Sequence, residues 1–258
     1  MSDLLEKIEW IFPKNQENIE LFHLMSHLFK DIDYVKVQKE QEIYMQSDNL
    51  TPAIIFKLDD VKQMQWKIGD EKYIHFLNRK TPQKERQYEG KILSPKMVLT
   101  KLAGHVLRID HIGINFPASL YSQKEWDDLL QELASISNLY EYPTGKLWPF
   151  LLPTTREEKE KEINDFEKLR EPRIEFVYDQ YTEFVAMHFD IETDLSKEEV
   201  EELFPNEEGV YFENLENSFK AIYLAYNPFM DIRIDVRFKC VHDDFESGKW
   251  FVLKGKRI

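Results

Sequence analysis

The chain has 258 residues, enough for one large domain or two small ones, and its formal net charge of -14 argues against the basic face by which proteins neutralise nucleic-acid phosphates or anionic membranes. A single cysteine, Cys240, excludes an intramolecular disulfide framework, and 8 glycines leave no Gly-rich phosphate loop or nucleophile elbow. No apolar run approaches the roughly 18 residues of a membrane span, and the N-terminus lacks a basic region followed by a long apolar segment, so a cytoplasmic protein with a small-molecule partner is expected, with a homodimer as one open arrangement.

Residues 1 to about 30 place Ile19, Phe22, Ser26 and Phe29 on one helical stripe, with Leu21, Met25 and Leu28 beside it. His23 and His27 lie one turn apart on this expected helix, but no acidic third ligand stands nearby and a solvated helix edge accounts for them. The segments Glu42 to Gln46, Ala53 to Leu58 and Tyr73 to Leu77 are short, β-branched or aromatic and bounded by turn signals, which predicts an antiparallel sheet. His75 falls within the last of them and reads as a structural histidine. Residues 79 to 96 are polar and carry Pro82, Gly90 and Pro95, the composition of a linker. We therefore expect an N-terminal helix-plus-antiparallel-sheet domain over 1–104, followed by a second domain over 105–258.

The second part repeats itself. In Val106 to Pro117, alternation puts Ile112, Ile114 and Phe116 on one face of a strand and His111, Gly113 and Asn115 on the other. In Phe184 to Glu192 it puts Met187, Phe189 and Ile191 opposite His188, Asp190 and Glu192. Each strand is followed by a capping box, Ser122 with Glu125 and Ser196 with Glu199, opening an amphipathic helix. Strand-like segments follow: Leu147 to Leu152 and Arg173 to Tyr178 in the first copy; Val210 to Glu213, Phe219 to Tyr226 and Asp231 to Phe238 in the second. Between them, Thr155 to Leu169 is nearly all charged and reads as an inserted surface helix.

Each copy thus offers a histidine and a carboxylate from the polar side of a half-buried sheet. If the copies face one cavity, His111, Glu175, His188 and Asp235 converge there. Two imidazoles with two carboxylates suit a divalent transition metal such as Zn, Ni, Fe(II) or Mn.

These residues carry a family resemblance. Asp110-His-Ile-Gly-Ile-Asn-Phe-Pro resembles the opening strand of vicinal-oxygen-chelate proteins, the superfamily of glyoxalase I, extradiol dioxygenases and fosfomycin-resistance enzymes. Met187-His-Phe-Asp-Ile resembles the strand opening their second module. Asn227-Pro-Phe-Met-Asp-Ile-Arg-Ile-Asp235 is similar to their closing motif, with one extra residue and Asp235 in the usual place of a glutamate; Arg173-Ile-Glu175 looks like the closing strand of the first module. The interval from His111 to Glu175 is long for the family, and the charged insert accounts for it. The resemblance spans about 150 residues and does not reach residues 1–104.

It implies an α+β fold of paired βαβββ modules and a metal that binds two adjacent oxygens of a substrate. In a glyoxalase-like lyase or isomerase, all four residues hold the metal, and Glu175 or Asp235 moves off it to act as general base beside a carbonyl. In an extradiol-like dioxygenase, His111, His188 and Asp235 form a 2-His-1-carboxylate Fe(II) site, and Glu175 is superfluous. A binding protein with a degenerate metal site is the alternative without chemistry: aromatic residues, 14% of the chain, line its pocket and Arg173, Arg233 or Arg237 holds an anionic ligand.

Overall fold

In the computed structural model, the residues described are 5–32, 34–38, 41–46, 52–62, 65–69, 95–142, 145–151, 173–179, 186–204, 211–215, 219–227, 232–237 and 256–257. From 211 onward, and at 110, 186–188 and a few other strand positions, the description is of the backbone only. The strand expected at Tyr73 to Leu77 with its His75, the linker over 79–94 and the charged helix at Thr155 to Leu169 lie outside the described residues.

The first element is not the expected helix but a strand. Ile8, Trp10 and Phe12 alternate at period 2 and are almost wholly buried, forming β1 (Lys7–Pro13). Pro13 and the N-cap Asn15, whose side chain accepts from the Asn18 N–H at 2.8 Å, start α1 (Gln16–Phe29), which buries Leu21, Phe22, Met25, Leu28 and Phe29. His23 and His27 stand exposed on its outer edge. Next come β2 (Val35–Gln38), β3 (Glu42–Met45), β4 (Ala53–Asp59) and β5 (Gln65–Ile68), in the sheet order β2-β3-β4-β1-β5. The sheet is mixed rather than antiparallel, because α1 crosses over and β4 returns parallel to β1, with Trp10 beside Phe56.

After α2 (Pro95–Lys101), a larger sheet begins with β6 (Val106–Pro117). The Ser122 capping box is formed in both directions and starts α3 (Gln123–Ile136), whose Trp126, Leu129, Leu130 and Leu133 are buried. Trp126 lies on Phe116 of β6, ring centroids 5.5 Å apart. Strands β7 (Leu139–Tyr142), β8 (Gly145–Leu151), β9 (Arg173–Asp179) and β10 (Ala186–Thr193) follow. The Ser196 capping box opens α4 (Lys197–Leu203), and β11 (Tyr211–Leu215), β12 (Phe219–Asn227), β13 (Ile232–Arg237) and β14 (Lys256–Arg257) complete the order. The nine strands run β11-β12-β13-β10-β6-β9-β8-β7-β14.

This order contains two βαβββ units. In each, the first strand pairs in parallel with the last, β6 with β9 and β10 with β13, and the other contacts are antiparallel. The units join edge to edge where β6 meets β10 antiparallel. The N-terminal residues build the same unit a third time. Strands β1, β2, β3 and β4 with α1 repeat the connectivity and the parallel first-to-last pairing, and β5 lies antiparallel to β1 as β10 does to β6.

The two sheets share one continuous apolar core. Phe189 of β10 lies 6.0 Å from Trp10 and 5.2 Å from Phe56, measured between ring centroids. The Leu5 N–H donates to the Ile136 carbonyl at 2.7 Å, and the Lys101 ammonium donates to the Leu203 carbonyl at the end of α4 at 2.8 Å. Among the described residues, no helix is long and apolar enough to cross a membrane.

Candidate metal centre

Hydrogen-bond register decides which side chains on this sheet can be neighbours, because residues directly opposite on adjacent strands share a face and stand roughly 5 Å apart. One row across β13, β10, β6 and β9 reads Asp235, Asp190, His111 and Arg173. The next row, two residues along and so on the same face, reads Arg233, His188, Gly113 and Glu175. The four residues singled out from the sequence thus occupy one face of four adjacent strands. The arrangement has a local two-fold character about the β6–β10 seam: His111 corresponds to His188, Glu175 to Asp235, Arg173 to Arg233 and Gly113 to Asp190.

The opposite face is apolar and packed. Ile112, Ile114 and Phe116 of β6, Ile174 and Phe176 of β9, and Phe189 and Ile191 of β10 are all but inaccessible. A slip of one residue in any of these strands would drive a histidine or carboxylate into that core, so the burial of one face fixes the other.

Among the described side chains, His111 lies between two carboxylates. Its Nε2 is 3.5 Å from Glu175 Oε2 and its Nδ1 is 3.7 Å from Asp190 Oδ2. The side chain of Asp190 is 3% exposed and that of His111 11%, whereas Glu175 at 21% retains access to solvent. Further along the same face, the Arg108 guanidinium pairs with Glu192. His111 is aimed by an irregularity in its own strand: β10 pairs Asp190 with His111 but Ile191 with Ile109, so Asp110 is an extra residue on β6. Such a bulge bends a strand and redirects the neighbouring side chain. The backbone of Ile109 is served here by the hydroxyl of Tyr34, which accepts from its N–H at 3.3 Å and donates to its carbonyl at 3.4 Å.

The side chains of His188 and Asp235 lie outside the described residues; their backbone positions are those given by register. Among the described residues, no group of three or more His, Cys, Asp or Glu side chains is spaced to hold a metal ion. The pair that is described fits one. Two ligands each 2.0 to 2.2 Å from a tetrahedral ion stand about 3.3 to 3.6 Å from one another, and the His111 Nε2 to Glu175 Oε2 separation of 3.5 Å falls in that range. The donor set of imidazole nitrogen and carboxylate oxygen is that of Zn, Mn or non-haem Fe(II).

Sequence reasoning placed Asp190 on the polar face without giving it a role, and it did not single out Tyr34. The signal for Asp190 lay in the alternation of β10, but its proximity to His111 depends on the β6–β10 register.

No protein-family model and no curated protein matches the chain. Solved structures similar to it include homoprotocatechuate 2,3-dioxygenase from Arthrobacter globiformis, with 11% identity, 99% of this chain and 94% of that one covered, and a TM-score of 0.36. The 2,2',3-trihydroxybiphenyl 1,2-dioxygenase of Sphingomonas wittichii strain RW1 aligns with 8% identity over 93% of this chain and 91% of that one, TM-score 0.38. The 2,3-dioxygenase LapB of Pseudomonas sp. KL28 aligns with 12% identity over 93% and 94%, TM-score 0.35. Extradiol dioxygenases are among the proteins that the strand motifs resemble. The βαβββ arrangement rests on the strand register itself.

Proposed function

We propose that the chain is a metal-dependent enzyme of the vicinal-oxygen-chelate type, acting on a small molecule next to a carbonyl as a lyase or isomerase. The observation that carries this reading is the register that puts His111, Glu175, His188 and Asp235 at two-fold-related positions on one sheet face, with His111 and Glu175 at a separation two ligands of one ion would have. His111, Glu175, His188 and Asp235 would hold the metal. When bound, it supplies Lewis-acid stabilisation of the negative charge that develops on the substrate oxygens.

The protein's own contribution is positional and acid–base. Glu175, the more accessible of the two carboxylates facing His111, is the group able to leave that contact and take a proton from the carbon beside the substrate carbonyl. Gly113, between His188 and Glu175 in its row, adds no side chain between these two groups. The buried apolar face beneath holds the four strands in register while the proton moves.

A second reading, an Fe(II) extradiol-type dioxygenase with its metal held by His111, His188 and Asp235, is favoured by the sizeable N-terminal part, which repeats the βαβββ connectivity of the two units that carry the proposed site.

The deciding experiment is metal analysis of protein purified without an affinity tag, followed by two variants. His188→Ala should lose metal and activity. Glu175→Gln should keep the fold and most of the metal, because an amide still offers a carbonyl oxygen, while losing turnover because it accepts no proton. Unchanged turnover in Glu175→Gln moves the base to Asp235 or favours the dioxygenase. Sub-stoichiometric metal after incubation with Zn, Ni, Fe(II) and Mn in turn leaves a binding protein without chemistry.

A further inference from the structure

Asp190 lies at the site, yet neither reading uses it. It faces His111 across the β6–β10 seam, its Oδ2 is 3.7 Å from Nδ1 of that ring, and it is almost completely closed off from water. Its counterpart about the local two-fold is Gly113, so only one of the two histidines has a carboxylate directly opposite. Two carboxylates compete for the ring's N–H, Glu175 at Nε2 and Asp190 at Nδ1; the Asp190 side chain is 3% exposed against 21% for Glu175, so its attraction is the less screened by water and favours the N–H on Nδ1, which leaves the lone pair on Nε2. The other nitrogen, Nε2, is the one facing Glu175.

We propose that Asp190 is a positioning residue: it holds His111 as the Nδ1–H tautomer and fixes the direction of its ring, so that the Nε2 lone pair points to where Glu175 and a metal ion would meet it. The function of that lone pair rests on the metal-centre reading above; the tautomer and its dependence on Asp190 do not. At 3.7 Å the contact is longer than a formed hydrogen bond, so the proposed role requires ring and carboxylate to approach by about 0.5 Å or more. His188 stands opposite glycine instead, so the two imidazoles should differ in how firmly their tautomers are set.

The test uses the full chain labelled with 15N in histidine and freed of metal by chelation, at pH 7.5. Long-range proton–nitrogen correlations report the tautomer of each ring, with His111 assigned by its loss in His111→Gln. The wild type should show His111 as neutral Nδ1–H. Asp190→Asn, which keeps an oxygen acceptor and the side-chain shape, should retain that tautomer. Asp190→Ala should shift it toward Nε2–H and weaken Co(II) binding, followed by the visible spectrum, by about 10- to 100-fold, the usual cost of removing such an outer partner. Asp190→Asn should lose less than Asp190→Ala. An Nε2–H or doubly protonated His111 in the wild type overturns the proposal, as does an Asp190→Ala chain with the wild-type tautomer. If the wild type takes up no Co(II) but keeps the Asp190-dependent tautomer, the metal reading falls and the positioning role stands.

Discussion

Replacing Tyr34 with Phe removes one oxygen from a buried position and tests whether the N-terminal residues hold the bulge that aims His111. The hydroxyl serves both backbone groups of Ile109, whose side chain and surroundings are closed to water. Its contacts of 3.3 and 3.4 Å are at the long end for hydrogen bonds, so their direct contribution is small. Leaving a buried donor or acceptor without its partner costs about 1–3 kcal/mol. Two such groups with weak initial bonds place the expected loss near the middle of the range, about 2 kcal/mol. For a chain of this length that is a fall in Tm of roughly 4–8 °C. The assay is urea unfolding followed by both tryptophan fluorescence and far-UV circular dichroism, where the midpoint should fall with unchanged slope. In the proposed site the variant should also bind Co(II) more weakly, since the bulge precedes His111 by one residue. A destabilisation below about 0.5 kcal/mol, within the scatter of ordinary surface changes, would refute the reasoning and leave the bulge supported by β6 and β10 alone.

Gly113→Val should preserve the sheet, because a β-branched residue suits a strand, while lowering Co(II) affinity by more than about tenfold through filling the row between His188 and Glu175; titration followed by the visible spectrum measures it. Ser122→Ala removes the N-cap of α3 and should cost about 1 kcal/mol in the urea midpoint. The Lys96 ammonium beside Glu20, which joins α2 to α1, holds that exposed carboxyl below its ordinary value of 4.5. The folded value is depressed, so the pair stabilises above the unfolded value and its contribution fades as pH falls through the folded one. The small loss caused by Lys96→Met should therefore be present at pH 7 and absent in acid, as read by unfolding midpoints at each pH. Proteolytic cleavage between Arg79 and Lys96, expected from the composition there, should give fragments that stay associated on gel filtration, since Trp10, Phe56 and Phe189 pack across the two sheets.

Elements with a local physical cause were legible in the sequence. The Ser122 and Ser196 capping boxes formed as read, and β6, β9 and β10 lie where alternation put them. Strand β1 was missed because Ile11, on its other face, is also apolar, so Trp10, Ile11 and Phe12 form a run that blurs the period-2 signal ahead of a genuine helix. Strands β2, β5 and β7, of four residues each, were not read from the sequence. Without β1, the N-terminal βαβββ unit could not be recognised, and its mixed sheet was read as antiparallel.

The candidate site shows the same division between local and long-range information. Alternation assigns His111 and His188 to the polar faces of their strands, but it does not say which residue stands opposite each. That depends on the antiparallel register of β6 on β10, which the bulge at Asp110 shifts by one residue beyond Asp190. The register gives His111 a buried aspartate and His188 a glycine, so two nearly repeated strands make an asymmetric face. In the proposed site this asymmetry has a direction. The Asp190 position is filled by a side chain closed to water, while the Gly113 position carries no side chain and is bordered by Glu175, which keeps some access to solvent. In the proposed site a substrate would reach His111 from the side of Glu175, the more exposed of its two carboxylates, which is the group assigned to move the proton.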